Sequence, residues 1–138
     1  MTMPSRIKPP MSDDNAWWWE QAAQDKLVIQ RCAECAKLRH PPRPMCDSCR
    51  SLEWDFVEAT GCGTLASFTV LHHPQIPGYE YPLTIALVDL EEGTRILSQL
   101  VSCEREAISI GMELEALIHE DDDGFKLLVF RPAHGREG

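Results

Sequence analysis

The chain has 138 residues, 43% of them hydrophobic, and a formal net charge of -9. This length suits one ordinary domain, or one very small domain attached to a modest one, and we predict the second arrangement. The acidic balance disfavours nucleic acid as the main partner, although basic residues gather around the cysteines.

Residues 1–12 are predicted to form a flexible polar leader, because "MTMPSRIKPP" contains no apolar signal core. The longest apolar runs, such as "TIALV" and "LLVF", are far too short to cross a bilayer. We therefore expect a soluble, cytoplasmic protein without a membrane partner. In a reducing compartment, six cysteines indicate metal or redox chemistry rather than a disulfide framework.

Residues 13–58 are predicted to contain a helix followed by a small cysteine-bearing unit. Capping candidates and early acidic residues precede a good helix-forming run, which predicts a helix over about residues 14–25. Three successive indoles, Trp17, Trp18 and Trp19, project about 100° apart on that helix and cannot all face one small core. We expect at least one to remain exposed and assign all three to a partner surface or a channel for an apolar chain. The alternative is that the protein's own fold buries all three.

Four cysteines follow a short predicted strand, "LVIQR", in a two-plus-two spacing. Cys32 and Cys35 form one C-x2-C pair, Cys46 and Cys49 form the other, and three prolines between the pairs exclude a regular helix. Two facing turns of this kind supply four thiolates in tetrahedral geometry, which predicts a zinc ribbon with one ion. The metal should be structural, because four thiolates leave no position for an activated water.

Three other uses of these thiols remain open. A thioredoxin-like dithiol would need a βαβ pattern that this sequence does not supply, and coincidental free thiols would leave the spacing unexplained. Iron could also occupy a rubredoxin-like site during expression. Zinc is favoured because a unit of roughly 30 residues lacks a sufficient apolar core, whereas structural zinc contributes on the order of 10 kcal/mol to folding.

Residues 59–132 are predicted to form a five-stranded OB-fold barrel, and residues 133–138 a C-terminal tail. Five apolar runs of strand length follow Gly61, with glycine-containing hairpins at "DLEEGT" and "HEDDDGF". A short helical turn in "SCEREAISIG" is expected between the third and fourth strands, as in a five-stranded Greek-key barrel. The main alternative is a sandwich of six or seven strands.

The order of helix, four-cysteine ribbon and OB barrel resembles the acyl-CoA-associated zinc-ribbon/OB-fold proteins, long catalogued as a domain of unknown function. The resemblance extends from about Trp17 to Pro132, and its carriers include "LVIQRCAEC", "CDSC" and "GTLASFTVLHHP". It implies that Cys32, Cys35, Cys46 and Cys49 ligate zinc. It also implies an accessory subunit in a hetero-oligomer with a thiolase-like or lipid-transfer-protein-type acyl-CoA enzyme. Some members of the family assist retro-aldol cleavage of a steroid side chain, while others serve polyketide or isoprenoid metabolism.

Coenzyme A would require basic groups for its phosphates, and the chain offers several. The candidates for contact with coenzyme A or with a partner lie on the ribbon and beside the last strand: Lys37, Arg39, Arg43, Arg50 and Arg131. These charges could equally serve only to keep the ribbon soluble.

We predict no catalytic residue in the chain itself. The candidate nucleophiles are Cys62 and Cys103, and no recognised Cys-His pattern links them to the candidate bases, which are His40, His72, His73, His119 and His134. Cys62 is expected at a flexible junction between ribbon and barrel, and Cys103 as a small buried side chain. The alternative function is a nucleic-acid-binding ribbon and OB module, but the predicted barrel is poor in basic residues and in stacking aromatics.

Overall fold

A computed structural model describes residues 9–121 and 123–133. The fold is mainly β, with one short helix and eight strands in the described residues. The elements in chain order are α1 Ala16–Ala23, β1 Val28–Cys32, β2 Leu38–Arg39, β3 Trp54–Glu58, β4 Cys62–Leu71, β5 Leu83–Leu90, β6 Arg95–Leu100, a 3-10 turn Arg105–Ala107, β7 Glu113–Glu120 and β8 Lys126–Pro132.

The helix α1 is shorter than predicted at both ends. At its start, the Asn15 side chain accepts a hydrogen bond from the Ser12 N–H at 2.8 Å and makes no capping bond to the helix. At its end, Asp25 adopts a left-handed backbone with φ 63°, and Lys26 N–H donates to the Gln21 carbonyl at 3.0 Å. This arrangement closes the last turn, because the Gln21 carbonyl accepts from the N–H groups of both Gln24 and Lys26.

The ribbon is built on a three-stranded antiparallel sheet in the order β2-β1-β3. The predicted strand "LVIQR" appears as β1, which pairs with both neighbours, whereas β2 and β3 were not predicted. Cys32 closes β1, and the other three cysteine ligand candidates lie in the turns beyond it. The described part of the chain leaves β3 as an edge strand.

The five predicted C-terminal strands close into a barrel in the order β4-β5-β6-β8-β7. Every contact in it is antiparallel except that of β6 with β8, which is the pairing of an OB-fold. A Cβ at Gly63 would lie 2.6 Å from the Asp89 carbonyl oxygen, so only glycine permits the close approach of β4 and β5 there. The five-strand prediction is confirmed, and the alternative of a sandwich is wrong.

The barrel interior follows the predicted alternation on β7. Leu114 is buried, and Met112, Ala116 and Ile118 pack against the core, while Glu113 faces solvent. The predicted turn before β7 also appears, as the single 3-10 turn.

One hydrophobic core joins the helix, the ribbon and the barrel. Trp18 and Ala22 of α1 and Ile29 of β1 belong to the same buried cluster as Leu65 and Phe130 of the barrel. At the surface, Lys126 of β8 forms an ion pair at 2.9 Å with Asp25 beyond α1. The ribbon is therefore packed against the barrel rather than suspended on a linker.

Some predictions lie outside the described residues. They concern most of the leader, residues 1–8, and the tail from His134 onward. Among the described residues, no helix has the length and apolar character needed to span a membrane.

Candidate functional site

The four cysteines of the ribbon meet at one point. Their Sγ atoms all lie within 4.8 Å of one another. The Cys32 and Cys49 sulfurs are 3.5 Å apart, and those of Cys35 and Cys46 are 3.6 Å apart. A tetrahedral site with Zn–S distances of about 2.3 Å has sulfur–sulfur edges of about 3.8 Å, whereas a disulfide bond measures about 2.05 Å. The arrangement fits a four-thiolate structural metal site, and these donors suit zinc.

Two similar turns present these sulfurs. Ala36 N–H donates to the Cys32 carbonyl at 3.0 Å, and Arg50 N–H donates to the Cys46 carbonyl at 2.9 Å. Ala36 and Arg50 both adopt left-handed backbone conformations, with φ 66° and φ 63°. Each C-x2-C pair is thus folded by the same local geometry, which the spacing in the sequence predicted.

Backbone amides polarise two of the thiols. The N–H groups of Cys49 and Ser48 lower the pKa of Cys46 to about 6. The N–H of Cys35, whose nitrogen lies 3.5 Å from the Cys32 sulfur, likewise lowers the pKa of Cys32. Hydrogen bonds to the charged form favour thiolate, and thiolate is the form that binds metal.

The remaining two thiols hold their protons more tightly in the metal-free cluster. The Ser51 N–H lowers the pKa of Cys49, but hydrogen bonding with Cys32, burial and the other thiols outweigh it and raise the pKa to about 12. Cys35 is also raised in pKa, because contact with Cys46 and burial outweigh the Lys37 N–H. Metal binding must therefore displace protons from the cluster.

One of the predicted contacts for coenzyme A or a partner is buried in the ribbon. Arg39 is only 7% exposed, its Nε donates to Gln30 Oε1 at 3.0 Å, and its Nη2 donates to the Arg43 carbonyl at 2.9 Å. Gln30 Oε1 also accepts the Arg43 N–H at 2.8 Å. Arg39 therefore stabilises the proline-rich loop through the Arg43 carbonyl, while its buried Nη1 has no hydrogen-bond partner among the described residues.

The other basic candidates lie at the surface. Arg43 and Arg50 are exposed, and Lys37 is exposed but paired with Asp47 at 2.8 Å. Arg131 is half-buried and pairs with Glu115 at 2.9 Å, which offsets its charge. The ribbon thus retains basic groups that a ligand or partner could contact.

The three indoles of α1 have different surroundings. Trp18 is 6% exposed, and its Nε1 donates to the Val28 carbonyl at 2.8 Å. Trp17 and Trp19 are half-buried, and Trp19 packs at 4.8 Å edge-on to Trp18 and at 5.4 Å to Phe125. Trp18 therefore offers almost no surface to a partner protein, and its partner role stays a prediction. The expectation that at least one indole remains exposed is met only in part, because Trp17 and Trp19 are each half-buried.

Two further aromatic residues, which the sequence analysis missed, extend the surface around Trp17. Its ring lies 4.7 Å from that of Trp54 and 5.4 Å from that of Phe56. Trp54 and Phe56 lie on the edge strand β3 and are 37% and 41% exposed. We call Trp17, Trp54 and Phe56 the aromatic face. The available signal was the spacing of two aromatics by two residues, which places both on one side of a strand.

No catalytic pair emerges among the described thiols and imidazoles. Burial and the nearby Glu104 raise the pKa of Cys103, whose Sγ lies 3.6 Å from the Glu104 carbonyl, and both effects weaken it as a nucleophile. Cys62 begins β4, opposite Glu115. His72 and His73 lie exposed beyond the end of β4.

Both parts of the chain match models of known domains. Residues 19–55 match the ChsH2 rubredoxin-like zinc ribbon domain, and residues 56–119 match the ChsH2 C-terminal OB-fold domain. The predicted fold class and family resemblance are thereby confirmed.

Curated relatives include subunits of larger size. A probable enoyl-CoA hydratase alpha subunit of Thermomonospora curvata is 48% identical over 96% of this chain and 41% of its own length. The 3-oxo-4,17-pregnadiene-20-carboxyl-CoA hydratase alpha subunit of Mycobacterium tuberculosis is 40% identical over 80% of this chain and 35% of its own length. The chain therefore spans about two fifths or less of these relatives. A DUF35 domain-containing scaffold protein of Methanocaldococcus jannaschii is 38% identical over 71% of this chain and 74% of its own length.

Two solved structures share the architecture. A chain of the structure titled Ltp2-ChsH2(DUF35) aldolase has a TM-score of 0.86 and 49% identity, covering 91% of this chain and 98% of that one. A DUF35 protein of unknown function from Sulfolobus solfataricus has a TM-score of 0.60, with 88% and 86% coverage, and at 17% identity it supports the fold alone. With its zinc-ribbon match, its OB-fold match and these relatives, the chain belongs to the DUF35 family, in its ChsH2-type form.

Proposed function

We propose that the chain is a non-catalytic accessory subunit of a thiolase-like acyl-CoA lyase of the lipid-transfer-protein type. The observation that carries this proposal is the similarity to a chain from the Ltp2-ChsH2(DUF35) aldolase structure. That chain is 49% identical to this one and is covered over 98% of its own length. The reaction that we propose for the complex is retro-aldol cleavage of a steroid acyl-CoA side chain. The steroid named in the Mycobacterium tuberculosis relative supports this substrate class.

The chemistry of this chain favours an accessory role over a catalytic one. We propose one zinc ion held by Cys32, Cys35, Cys46 and Cys49, and such a centre has no open position for substrate or water. The ion instead stabilises a ribbon whose sheet has only three short strands. Reduced thiols at these positions fit a cytoplasmic location.

The aromatic face is the surface that we propose for contact with the lyase. It carries exposed aromatic area on an edge strand, stacked against a helix that the core fixes through Trp18. Large aromatic side chains of this kind act as anchors in protein interfaces because they bury much area at low entropic cost. Lys37, Arg43 and Arg50 on the same ribbon would meet acidic groups of the partner or the phosphates of coenzyme A.

Purification of the tagged chain from its native host should recover the lyase, and calorimetric titration of the two proteins then measures the contact. Trp54→Ala is expected to weaken association by about 2 kcal/mol, or roughly 30-fold, with zinc content unchanged. Ile110→Ala is the matched control, because Ile110 is 63% exposed and lies outside the aromatic face. Equal affinities for wild type, Trp54→Ala and Trp17→Ala would exclude the aromatic face as the contact.

A further inference from the structure

A cavity of about 660 Å³ lies where the helix, the proline-rich ribbon loop and the barrel meet. Its walls include Trp18 and Trp19 from α1, His40 from the ribbon loop, and Leu97, Phe125 and Leu128 from the barrel region. Ligand cavities of proteins span about 300–1,000 Å³ and are mostly apolar, with a few placed polar groups. The size and lining of this cavity fall within that description.

One ring in the aromatic wall of the cavity is held in place before any ligand arrives. The Trp18 indole is fixed by its hydrogen bond to the Val28 carbonyl at 2.8 Å. Around it, the ring centroids of Trp19 and His40 lie at 4.8 Å and 5.5 Å, and Phe125 continues the row at 5.4 Å from Trp19. The planes of these pairs are tilted by 84°, 49° and 39°, so the rings form an uneven apolar wall rather than a flat one. Because Trp18 is already fixed, binding of an apolar ligand costs little side-chain entropy there.

The mouth of the cavity is apolar as well. Leu97 is 65% exposed and Ile76 is 39% exposed, and both line the cavity. Large exposed aliphatic side chains at the edge of a concave site are typical of an entrance for an apolar ligand.

The charges of the lining argue against an anion. The lining residues include no Lys or Arg among the described positions, and they do include Asp121. The Asp121 side chain is 10% exposed and lies 3.0 Å from His119 Nε2. A phosphate or fatty carboxylate would enter without a cation to pair with, next to a carboxylate, so a neutral molecule is favoured.

His40 carries ring nitrogens that could hydrogen-bond to a ligand. Within residues 9–121 and 123–133, neither of its ring nitrogens has a hydrogen-bond partner, unlike Asn15 and Ser98, which bond to backbone carbonyls in the same walls. Burial lowers the pKa of His40 to about 4, so the ring is neutral at pH 7 and offers one donor and one acceptor. A ketone or hydroxyl group would satisfy it.

We propose that this cavity binds the body of an uncharged, apolar ketone or alcohol, one oxygen of which hydrogen-bonds to His40. The proposal goes beyond the accessory function, because every lining residue named above belongs to this chain. If the cavity does not bind such a molecule, the proposed assembly with the lyase is unaffected. If the chain does not assemble with the lyase, the proposed binding site is unaffected.

The test is titration of the zinc-loaded full chain, alone, with progesterone, a neutral fused-ring ketone, and separately with coenzyme A. Calorimetry and indole fluorescence should both report progesterone binding, since Trp18 and Trp19 line the site. Coenzyme A should bind at least tenfold more weakly. Absence of progesterone binding up to its solubility limit, or equal binding of coenzyme A, would overturn the proposal.

Three variants locate the ligand. Leu97→Glu should weaken progesterone binding about tenfold or more, whereas Ile110→Glu should leave it unchanged, because Leu97 and Ile110 are 65% and 63% exposed but only Leu97 lines the cavity. His40→Leu should weaken binding by about fivefold through the lost hydrogen bond. If Leu97→Glu and Ile110→Glu bind alike, the ligand lies elsewhere and the site is wrong. An unchanged affinity for His40→Leu would overturn the role of His40.

Discussion

Replacing Trp18 with alanine should be among the most destabilising single changes in α1. Trp18 is 6% exposed and belongs to the core shared by helix, ribbon and barrel. Truncation of a buried Trp or Phe to alanine costs about 3–5 kcal/mol. The change also removes the indole donor from the Val28 carbonyl, and Val28 is only 1% exposed, so an unpaired buried acceptor adds about 1 kcal/mol.

The expected loss of unfolding free energy is therefore about 4–6 kcal/mol, against a total of about 5–15 kcal/mol for ordinary domains. Urea unfolding of the zinc-loaded protein, followed by far-ultraviolet circular dichroism, measures this loss as a midpoint shift of about 2 M or more.

Two matched variants separate the contributions to this loss. Trp18→Phe keeps an aromatic ring but removes the hydrogen bond, and should cost about 1–2 kcal/mol. Trp17→Ala truncates a half-buried indole whose Nε1 donates to the exposed Asp14 carbonyl at 2.9 Å, and should cost about 1–2 kcal/mol. If Trp18→Ala costs no more than Trp17→Ala, the continuous core through α1 is refuted.

Two further predictions concern the metal and the pH dependence. Cys46→Ser should abolish stoichiometric zinc binding, measured by elemental analysis, and remove amide-exchange protection from β1 and β3. The control Cys103→Ser should change neither measurement. A ribbon that stays protected without metal would contradict the proposed metal site. Burial lowers the pKa of His40 from an ordinary value of 6.5 to about 4, so its neutral form stabilises the fold fully above about pH 6.5 and that stability is lost as pH falls towards 4. The free energy of unfolding that His40 contributes should fall by about 2 kcal/mol between pH 7.5 and pH 5. Plots of urea midpoint against pH for the zinc-loaded wild type and for His40→Gln should therefore differ in slope over this range. Identical slopes would show that His40 is not buried.

Local patterns in the sequence predicted the parts of the structure that local geometry decides. The spacing of Cys32, Cys35, Cys46 and Cys49 determines two tight turns, and the alternation around Leu114 determines which side of β7 faces the barrel interior. Periodicity also predicted the order of helix, ribbon and barrel, but it left a sandwich of six or seven strands open.

Features that depend on contacts distant in the chain were not predictable in this way. The burial of Trp18 depends on β1 and the barrel, and that of Arg39 depends on Gln30 and the loop carbonyl of Arg43. In the sequence, an arginine in a basic, proline-rich segment predicts a solvent-exposed charge, because its buried partners are distant in the chain. The pairing of Trp17 with Trp54 likewise joins a helix to a strand that was not predicted.

Reconstitution of acyl-CoA cleavage tests the accessory role most directly. The lyase recovered with the native chain is assayed with a steroid side-chain acyl-CoA alone, with this chain, and with the Trp54→Ala variant at a concentration below its weakened dissociation constant. We predict that the chain alone is inactive, that the two proteins together release cleaved product, and that Trp54→Ala reduces this activity until its concentration is raised about 30-fold. Full turnover by either protein alone, or no gain from mixing them, would contradict the proposed function.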